Sequence, residues 1–92
     1  MIKITKKVNK AWVTFTLASD AGSTVSICGE WNDWEKEPMK IKKSGEFYIT
    51  KVIKPDRSYA FGYLVNDGEW LTENELPKIP SPFNSNNSLL EL

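Results

Sequence analysis

The chain has 92 residues, of which 40% are hydrophobic and 26% charged, a composition typical of a folded globular domain and not of a disordered segment. Twelve basic and twelve acidic residues cancel, so no overall field draws the protein to nucleic acid or to an anionic membrane. We therefore predict one domain over residues 1–92, with neither nucleic acid nor membrane as a partner.

The sequence shows no export or membrane signal. Residues 1–4 are not followed by an apolar run, and no stretch approaches the roughly 18 apolar residues of a membrane-spanning helix. The single cysteine, Cys28, cannot form an internal disulfide, and its position at the end of a predicted strand indicates a small packing residue. These features predict a cytoplasmic protein.

Alternating apolar residues predict a series of short strands. Residues 11–17 alternate clearly, and residues 24–29 repeat the pattern after turn residues 19–23. Lys51 interrupts the alternation of apolar residues in the predicted strand 46–53. The remaining predicted strands are a short one at Met39 and Ile41, then residues 46–53, residues 58–65, a return strand from Trp70, and residues 87–92.

The connections between these strands carry turn chemistry. Asn66-Asp67-Gly68 is a strong hairpin signal, because these residue types tolerate the positive φ angles of tight turns. Residues 73–86 are rich in Pro, Ser and Asn and predict a long surface loop, and the acidic residues Glu69, Glu73 and Glu75 are predicted to be solvated.

No segment has helical periodicity over three turns, and turn signals recur at intervals of about 8–12 residues. The sequence therefore predicts an all-β fold, an immunoglobulin-like antiparallel β-sandwich of about seven strands. An open barrel of similar strand count is the alternative.

The stretch GEWNDW, residues 29–34, contains two tryptophans around a turn-forming Asn-Asp pair. Counting in steps of two along the strand, Trp31 continues the inward row of Val25 and Ile27, so we predict it in the core. Trp34 is out of phase and lies beyond the turn, which predicts a surface position. Trp70, just after the hairpin glycine, is either a cross-strand packing residue or a second exposed indole.

The sequence contains few candidate catalytic residues. The chain has no histidine, which removes the commonest general base and the commonest metal ligand. Glu30 and Asp33 are the remaining acid-base candidates, but carboxylates on turns usually cap their own backbone. We therefore predict no enzymatic activity, no cofactor and no metal. Two exposed indoles near loops instead favour a binding platform for a flat ligand, and the neutral charge favours a sugar over a nucleobase.

Several segments in order resemble carbohydrate-binding module family 48: VSICGEWNDW at 25–34, Pro38-Met39, YAFGYLV at 59–65, DGEW at 67–70 and NSLL at 87–90. That family includes the N-terminal early-set domains of isoamylases and glycogen branching enzymes and the glycogen-binding domain of the AMP-activated protein kinase β subunit. The similarity covers the chain from about Trp12 onward and is greatest to small free-standing bacterial domains.

The resemblance implies a non-catalytic sandwich that binds α-1,4-linked glucan, such as glycogen, starch or malto-oligosaccharides, with sugar rings stacked on Trp34 and Trp70. It also implies a bulky apolar residue, a hydroxyl and an asparagine before the last strand, at Phe83, Ser85 and Asn87. A glucan-active enzyme would be a natural partner for such an accessory domain.

Two departures from the family pattern leave other functions open. Gly62 stands where glycogen-binding members often carry a sugar-binding lysine, and an acidic loop at 69–75 follows the hairpin. A protein-interaction or regulatory module that has lost sugar binding is one alternative, in which Trp34 is buried against a partner. A glycoside hydrolase or branching activity is the other, although relatives place that chemistry in a separate, larger barrel domain.

Overall fold

The computed structural model describes residues 1–18, 23–81 and 85–92. Within these residues the chain forms ten β-strands and one short 3-10 helix, Glu30–Asn32. The strands are β1 Ile2–Lys6, β2 Ala11–Ala18, β3 Val25–Gly29, β4 Glu37–Pro38, β5 Lys40–Ile41, β6 Glu46–Ile53, β7 Ser58–Val65, β8 Glu69–Leu71, β9 Lys78–Pro80 and β10 Asn86–Glu91.

The strands form two antiparallel sheets. The four-stranded sheet has the order β1-β2-β6-β5, and the six-stranded sheet has the order β4-β3-β7-β10-β9 with β8 also paired to β7. The inward rows of both sheets make one core, whose fully enclosed members include Val13, Phe15, Ile27, Phe61, Tyr63 and Leu90. The fold is the predicted β-sandwich, and the two separate sheets exclude the barrel alternative.

The strand that we predicted around Met39 is two strands in different sheets. β4 pairs with β3, whereas β5 pairs with β6, so the chain crosses between the sheets at Met39. Met39 is buried in the core at this crossing. The crossing closes one edge of the sandwich with an apolar side chain.

The charged residue that breaks the alternation of β6 has a structural explanation. Lys51 stands opposite the buried Val13, and its ammonium reaches across the sandwich edge to Glu37 of the other sheet. Glu37 also accepts a hydrogen bond of 2.6 Å from the Asn32 amide. A partly buried charge is tolerated here because it is paired and hydrogen-bonded.

Two predictions about residues 69–86 are wrong. The long surface loop contains β9, which pairs with β10. Glu73 is not solvated: its side chain is 4% exposed and accepts hydrogen bonds from the Tyr63 hydroxyl at 2.9 Å and from the amino group of Met1 at 3.0 Å. The acidic loop therefore begins as β8 and continues into a hydrogen-bonded cluster around the single buried carboxylate of Glu73.

This cluster predicts a pH dependence of stability. Burial, and next the neighbouring Glu73 carboxylate, raise the pKa of Tyr63 well above its ordinary value of 10.0. Above pH 10 an unfolded chain releases this proton and the folded chain keeps it, so the free energy of unfolding should fall by about 1.4 kcal/mol per pH unit. Urea unfolding between pH 9 and pH 12 measures the slope. The Tyr63→Phe variant lacks this proton and should lose that component, and an unchanged slope in the variant would contradict the assignment.

Candidate functional site

The outer face of the six-stranded sheet has a gap at Gly62. On one side, strand β7 pairs with β10 through residues 58–61 and with β8 through residues 63–65. Gly62 lies between these two paired segments. On its other side, Gly62 faces Cys28 of β3. The absence of a side chain here leaves a shallow depression in the sheet surface.

The Trp70 indole fills this depression. A Cβ built on Gly62 would lie within 2.9 Å of three atoms of the Trp70 six-membered ring, the nearest being Cζ2. The Trp70 Nε1–H group donates a hydrogen bond of 2.9 Å to the carbonyl oxygen of Asn86, the first residue of β10. Packing on the backbone and this hydrogen bond together fix the plane of the indole.

Trp34 is held out from the sheet by its backbone. The 3-10 helix Glu30–Asn32 is followed by Asp33 at φ 59° and Trp34 at φ 66°, both left-handed, and the Trp34 N–H group closes the turn on the Gly29 carbonyl at 2.9 Å. A left-handed conformation costs a non-glycine residue about 1–2 kcal/mol. Trp34 is also 39% exposed, so a bulky apolar side chain occupies a strained and solvent-facing position.

Trp34 and Trp70 lie side by side on this face. Their ring centroids are 6.4 Å apart, and their planes are inclined by 44°. We call these two indoles the indole platform. The turn that carries Trp34 and the hairpin that carries Trp70 are joined by an ion pair, Lys36 Nζ to Asp67 Oδ1 at 3.1 Å.

Asn87 belongs to the same end of the sheet. It follows Asn86, whose carbonyl holds the Trp70 ring, and it alternates with the inward-facing Ser88, so it lies on the outer face. The residue is only 9% exposed, and its side-chain amide makes no hydrogen bond to any residue that the structure describes. An amide that has no partner among the described residues and lies beside an aromatic platform is available to a ligand.

The other two predicted site residues, Ser85 and Phe83, are not placed at the platform by the described contacts. Ser85 is exposed, and its hydroxyl lies 3.1 Å from the Ser81 hydroxyl, so it is already in a local hydrogen bond. Phe83 lies outside the described residues. The structure thus brings together Trp34, Trp70 and Asn87.

Cys28 lies beneath the platform as a buried, free thiol. Burial raises the pKa of this thiol, and nearby Lys36 offsets part of that effect. The group is therefore kept in its unreactive protonated form, in agreement with a packing role.

Trp31 packs against the core, as predicted, although not as part of a strand. It lies in the 3-10 helix, and its ring folds back over Gly29, where an added Cβ would be 2.6 Å from Cη2. Its ring centroid is 5.4 Å from that of Phe15 and 5.7 Å from that of Phe61. Gly29 and Gly62 thus accommodate one indole each, on opposite faces of the same sheet.

Glu30 and Asp33 each have a structural role at the 3-10 helix. The Glu30 carboxylate accepts a hydrogen bond of 2.5 Å from the backbone N–H group of Ala60, which replaces the ladder bond lost where β3 turns into the 3-10 helix. Asp33 occupies the left-handed position that ends that helix. Both residues serve the turn that presents Trp34.

A cleft of about 210 Å³ lies away from the indole platform. It is formed beside Trp31 by β6 and the start of β7, and it is lined by Glu30, Trp31, Val52, Ile53, Lys54, Arg57 and Tyr59. The platform, by contrast, is an open surface, which suits a ligand that stacks on it.

Sequence reasoning missed the role of Gly62. We interpreted it as the loss of a lysine, whereas the structure shows that a side chain here is incompatible with the position of Trp70. The available signal was a glycine in a strand of bulky residues, beside a hairpin that carries a tryptophan. The Lys36–Asp67 pair was also missed, since the two residues are far apart in sequence.

The fold and the two indoles define a β-sandwich binding module with an aromatic platform. Among the described residues, no helix is long and apolar enough to span a membrane. The chain belongs to the family described as the glycogen recognition site of AMP-activated protein kinase, whose family model matches residues 12–92. This confirms the resemblance to carbohydrate-binding modules that the sequence suggested. A comparison with curated proteins gave no match.

Proposed function

We propose that the domain binds α-1,4-linked glucan by stacking sugar rings on Trp34 and Trp70. The observation that carries the proposal is the strained, exposed Trp34 placed 6.4 Å from a fixed second indole. A surface that only had to be soluble would gain stability by replacing such a residue. Strain of this kind at the edge of an aromatic pair supports a role in ligand binding.

The angle between the rings supports a bent ligand. An indole face desolvates the apolar C–H face of a pyranose ring, and two faces inclined by 44° suit consecutive rings that are inclined to each other. The α-1,4 linkage turns a glucan chain in this way, whereas a β-1,4 linkage gives a flat ribbon. The platform therefore favours an α-linked chain.

In this proposal Asn87 is the main polar contact, since its amide has both donors and an acceptor for sugar hydroxyls. Ser85 is a lesser contact because its hydroxyl is shared with Ser81, and Phe83 remains a prediction from the sequence. With one amide and two stacking faces, affinity for a short oligosaccharide should be weak, about 10 µM to 1 mM. The role is non-catalytic: it holds the protein, or a glucan-active partner, on the polymer.

The proposal predicts the result of a titration with maltoheptaose, followed by backbone amide shifts. Shifts should concentrate at residues 33–36, 69–71 and 86–88, and cellohexaose, with the same sugar but β-linkages, should give much smaller ones. Trp34→Ala should weaken binding at least about tenfold, or about 1.4 kcal/mol. Because Trp34 is exposed and strained, the free energy of unfolding of this variant should stay within about 0.5 kcal/mol of the original or rise.

Trp12→Ala is the matched control, because Trp12 is a half-buried indole on the opposite sheet. It should leave the dissociation constant for maltoheptaose unchanged. No amide shift at millimolar maltoheptaose would reject the proposal, and so would shifts that persist when Trp34 and Trp70 are both replaced by alanine.

A further inference from the structure

The net charge of zero conceals a separation of charge between the two sheets. Ten of the twelve lysine and arginine residues lie in segments 1–18 and 40–57, which form the four-stranded sheet and its turns. Nine of the twelve acidic residues lie in segments 23–39 and 58–92, which form the other sheet. We predicted from the net charge that no electrostatic field acts on partners. That prediction holds for the chain as a whole, but each of the two sheets carries a local excess of one sign.

The outer face of the four-stranded sheet has an apolar and hydroxyl centre. The registered rows across β1, β2 and β6 place Trp12 beside Val52 and Thr14 beside Thr50. Val52 is 56% exposed, and the two threonine hydroxyls bond to each other at 2.8 Å, which uses one of their two O–H donors. This shared hydrogen bond lowers the cost of desolvating the centre of the face.

The rim of this face is basic. Lys3 lies in the threonine row, Lys40 pairs with Tyr48 at the far edge, and the Lys42 ammonium lies 5.4 Å from the centroid of the Tyr48 ring. One acidic residue, Glu46, lies at the end of this face, where it pairs with Ala18, and the lysines outnumber it. We call this surface, with Trp12, Val52, Tyr48, Thr14, Thr50, Lys3, Lys40 and Lys42, the basic sheet face.

The indole platform has the opposite arrangement. Trp34 lies between the exposed Asp33 and Glu35, Trp70 follows the exposed Glu69, and Asp67 lies in the adjacent hairpin. Lys36 neutralises only Asp67 among these carboxylates. Each face thus has an aromatic centre and a charged rim, the composition typical of the centre and rim of a protein interface, and the two rims have opposite sign.

We propose that the basic sheet face binds the indole platform of a second copy of the chain, head to tail. The two surfaces lie on opposite sheets of the sandwich, so the contact is heterologous and a pair of copies keeps one free basic sheet face and one free indole platform. The same indoles are used as in glucan binding, but the association does not rest on that function. Opposite rims steer the encounter and make the association sensitive to salt.

Sedimentation velocity on the purified chain, without glucan, tests the proposal. At about 0.01 M salt, where the Debye length is about 30 Å, the average mass should rise with protein concentration up to about 1 mM. At about 1 M salt, where that length is about 3 Å, the chain should return to the monomer. A monomer at every concentration in low salt would overturn the proposal.

Charge reversal separates this contact from non-specific attraction. Lys40→Glu with Lys42→Glu reverses one rim, and Glu35→Lys with Glu69→Lys reverses the other; each double variant should lose self-association at least about tenfold. An equimolar mixture of the two should associate again, because each reversed rim then meets a complementary one. Lys78→Glu, an exposed lysine on β9 of the other sheet, is the control and should not weaken association. Failure of the mixture to associate, or an equal loss in the control, would refute the head-to-tail contact.

Discussion

Replacement of Gly62 by alanine is expected to weaken both the fold and glucan binding, although alanine is only one methyl group larger. Several atoms of the Trp70 six-membered ring lie inside the space that a Cβ would take. The indole must therefore move, and it cannot do so while keeping its hydrogen bond to the Asn86 carbonyl. Loss of this bond and the forced repacking should lower the free energy of unfolding by about 1–3 kcal/mol.

The same displacement removes half of the platform, so affinity for maltoheptaose should fall at least about tenfold. Gly62→Lys should be no better, because its Cβ meets the same ring. Urea unfolding and a maltoheptaose titration measure the two effects. Tighter binding by the lysine variant would show that the position of Trp70 adapts, contrary to this prediction.

A double-mutant cycle supplies the control for Gly62. In a Trp70→Ala background the space above residue 62 is empty, so Gly62→Ala should cost little further stability. If the cost of Gly62→Ala is the same with and without Trp70, the clash with the indole is not its cause.

The long strands of this fold were predictable because apolar residues alternate along their sequences. Strands β6 and β7 begin and end as predicted, since each has one face in the core and turn residues on either side. The short strands were harder. β9, Lys78–Pro80, has three residues and a proline, so its pairing depends on β10 and not on its own pattern.

The candidate site was predictable only in part. Strand phase separated Trp31 from Trp34, because an indole beyond the turn cannot continue the inward row. Phase could not indicate that Trp31 reaches the core by lying over Gly29, nor that Trp70 lies over Gly62. These contacts depend on how the strands are arranged in the sheet, which the sequence pattern of one strand does not specify. The separation of charge between the two sheets also depends on the topology.

The largest loss of stability is expected from a residue that the sequence placed on the surface. Glu73 is buried, and its carboxylate is the acceptor for the Tyr63 hydroxyl, the Met1 amino group and the Glu75 backbone N–H group. Glu73→Leu would leave the buried Tyr63 hydroxyl without its acceptor and would remove the ion pair of the Met1 amino group, which keeps only its bond to the Thr16 carbonyl. We therefore expect a loss of about 3–5 kcal/mol. Urea unfolding gives the free energy directly.

Glu73→Gln should cost less, about 1–2 kcal/mol, because the amide oxygen still accepts from Tyr63 while the negative charge is lost. Glu69→Gln is the matched control: the same change at an exposed position of the same segment should stay within about 0.5 kcal/mol. Equal losses at both positions would mean that the effect comes from charge in general and not from the buried cluster.

The cause of the loss can be tested by removing the donor as well as the acceptor. In Tyr63→Phe the buried hydroxyl is absent, so Glu73→Leu no longer leaves it unpaired and should cost less than in the original chain. The remaining cost then reflects the Met1 and Glu75 donors and the close backbone bond of 2.6 Å from Glu73 N–H to the Ser88 hydroxyl, which the larger apolar side chain could disturb. A cost of Glu73→Leu that is independent of Tyr63 would show that the phenol contributes nothing to the cluster, and would leave burial as the main cause of the loss of stability expected above pH 10.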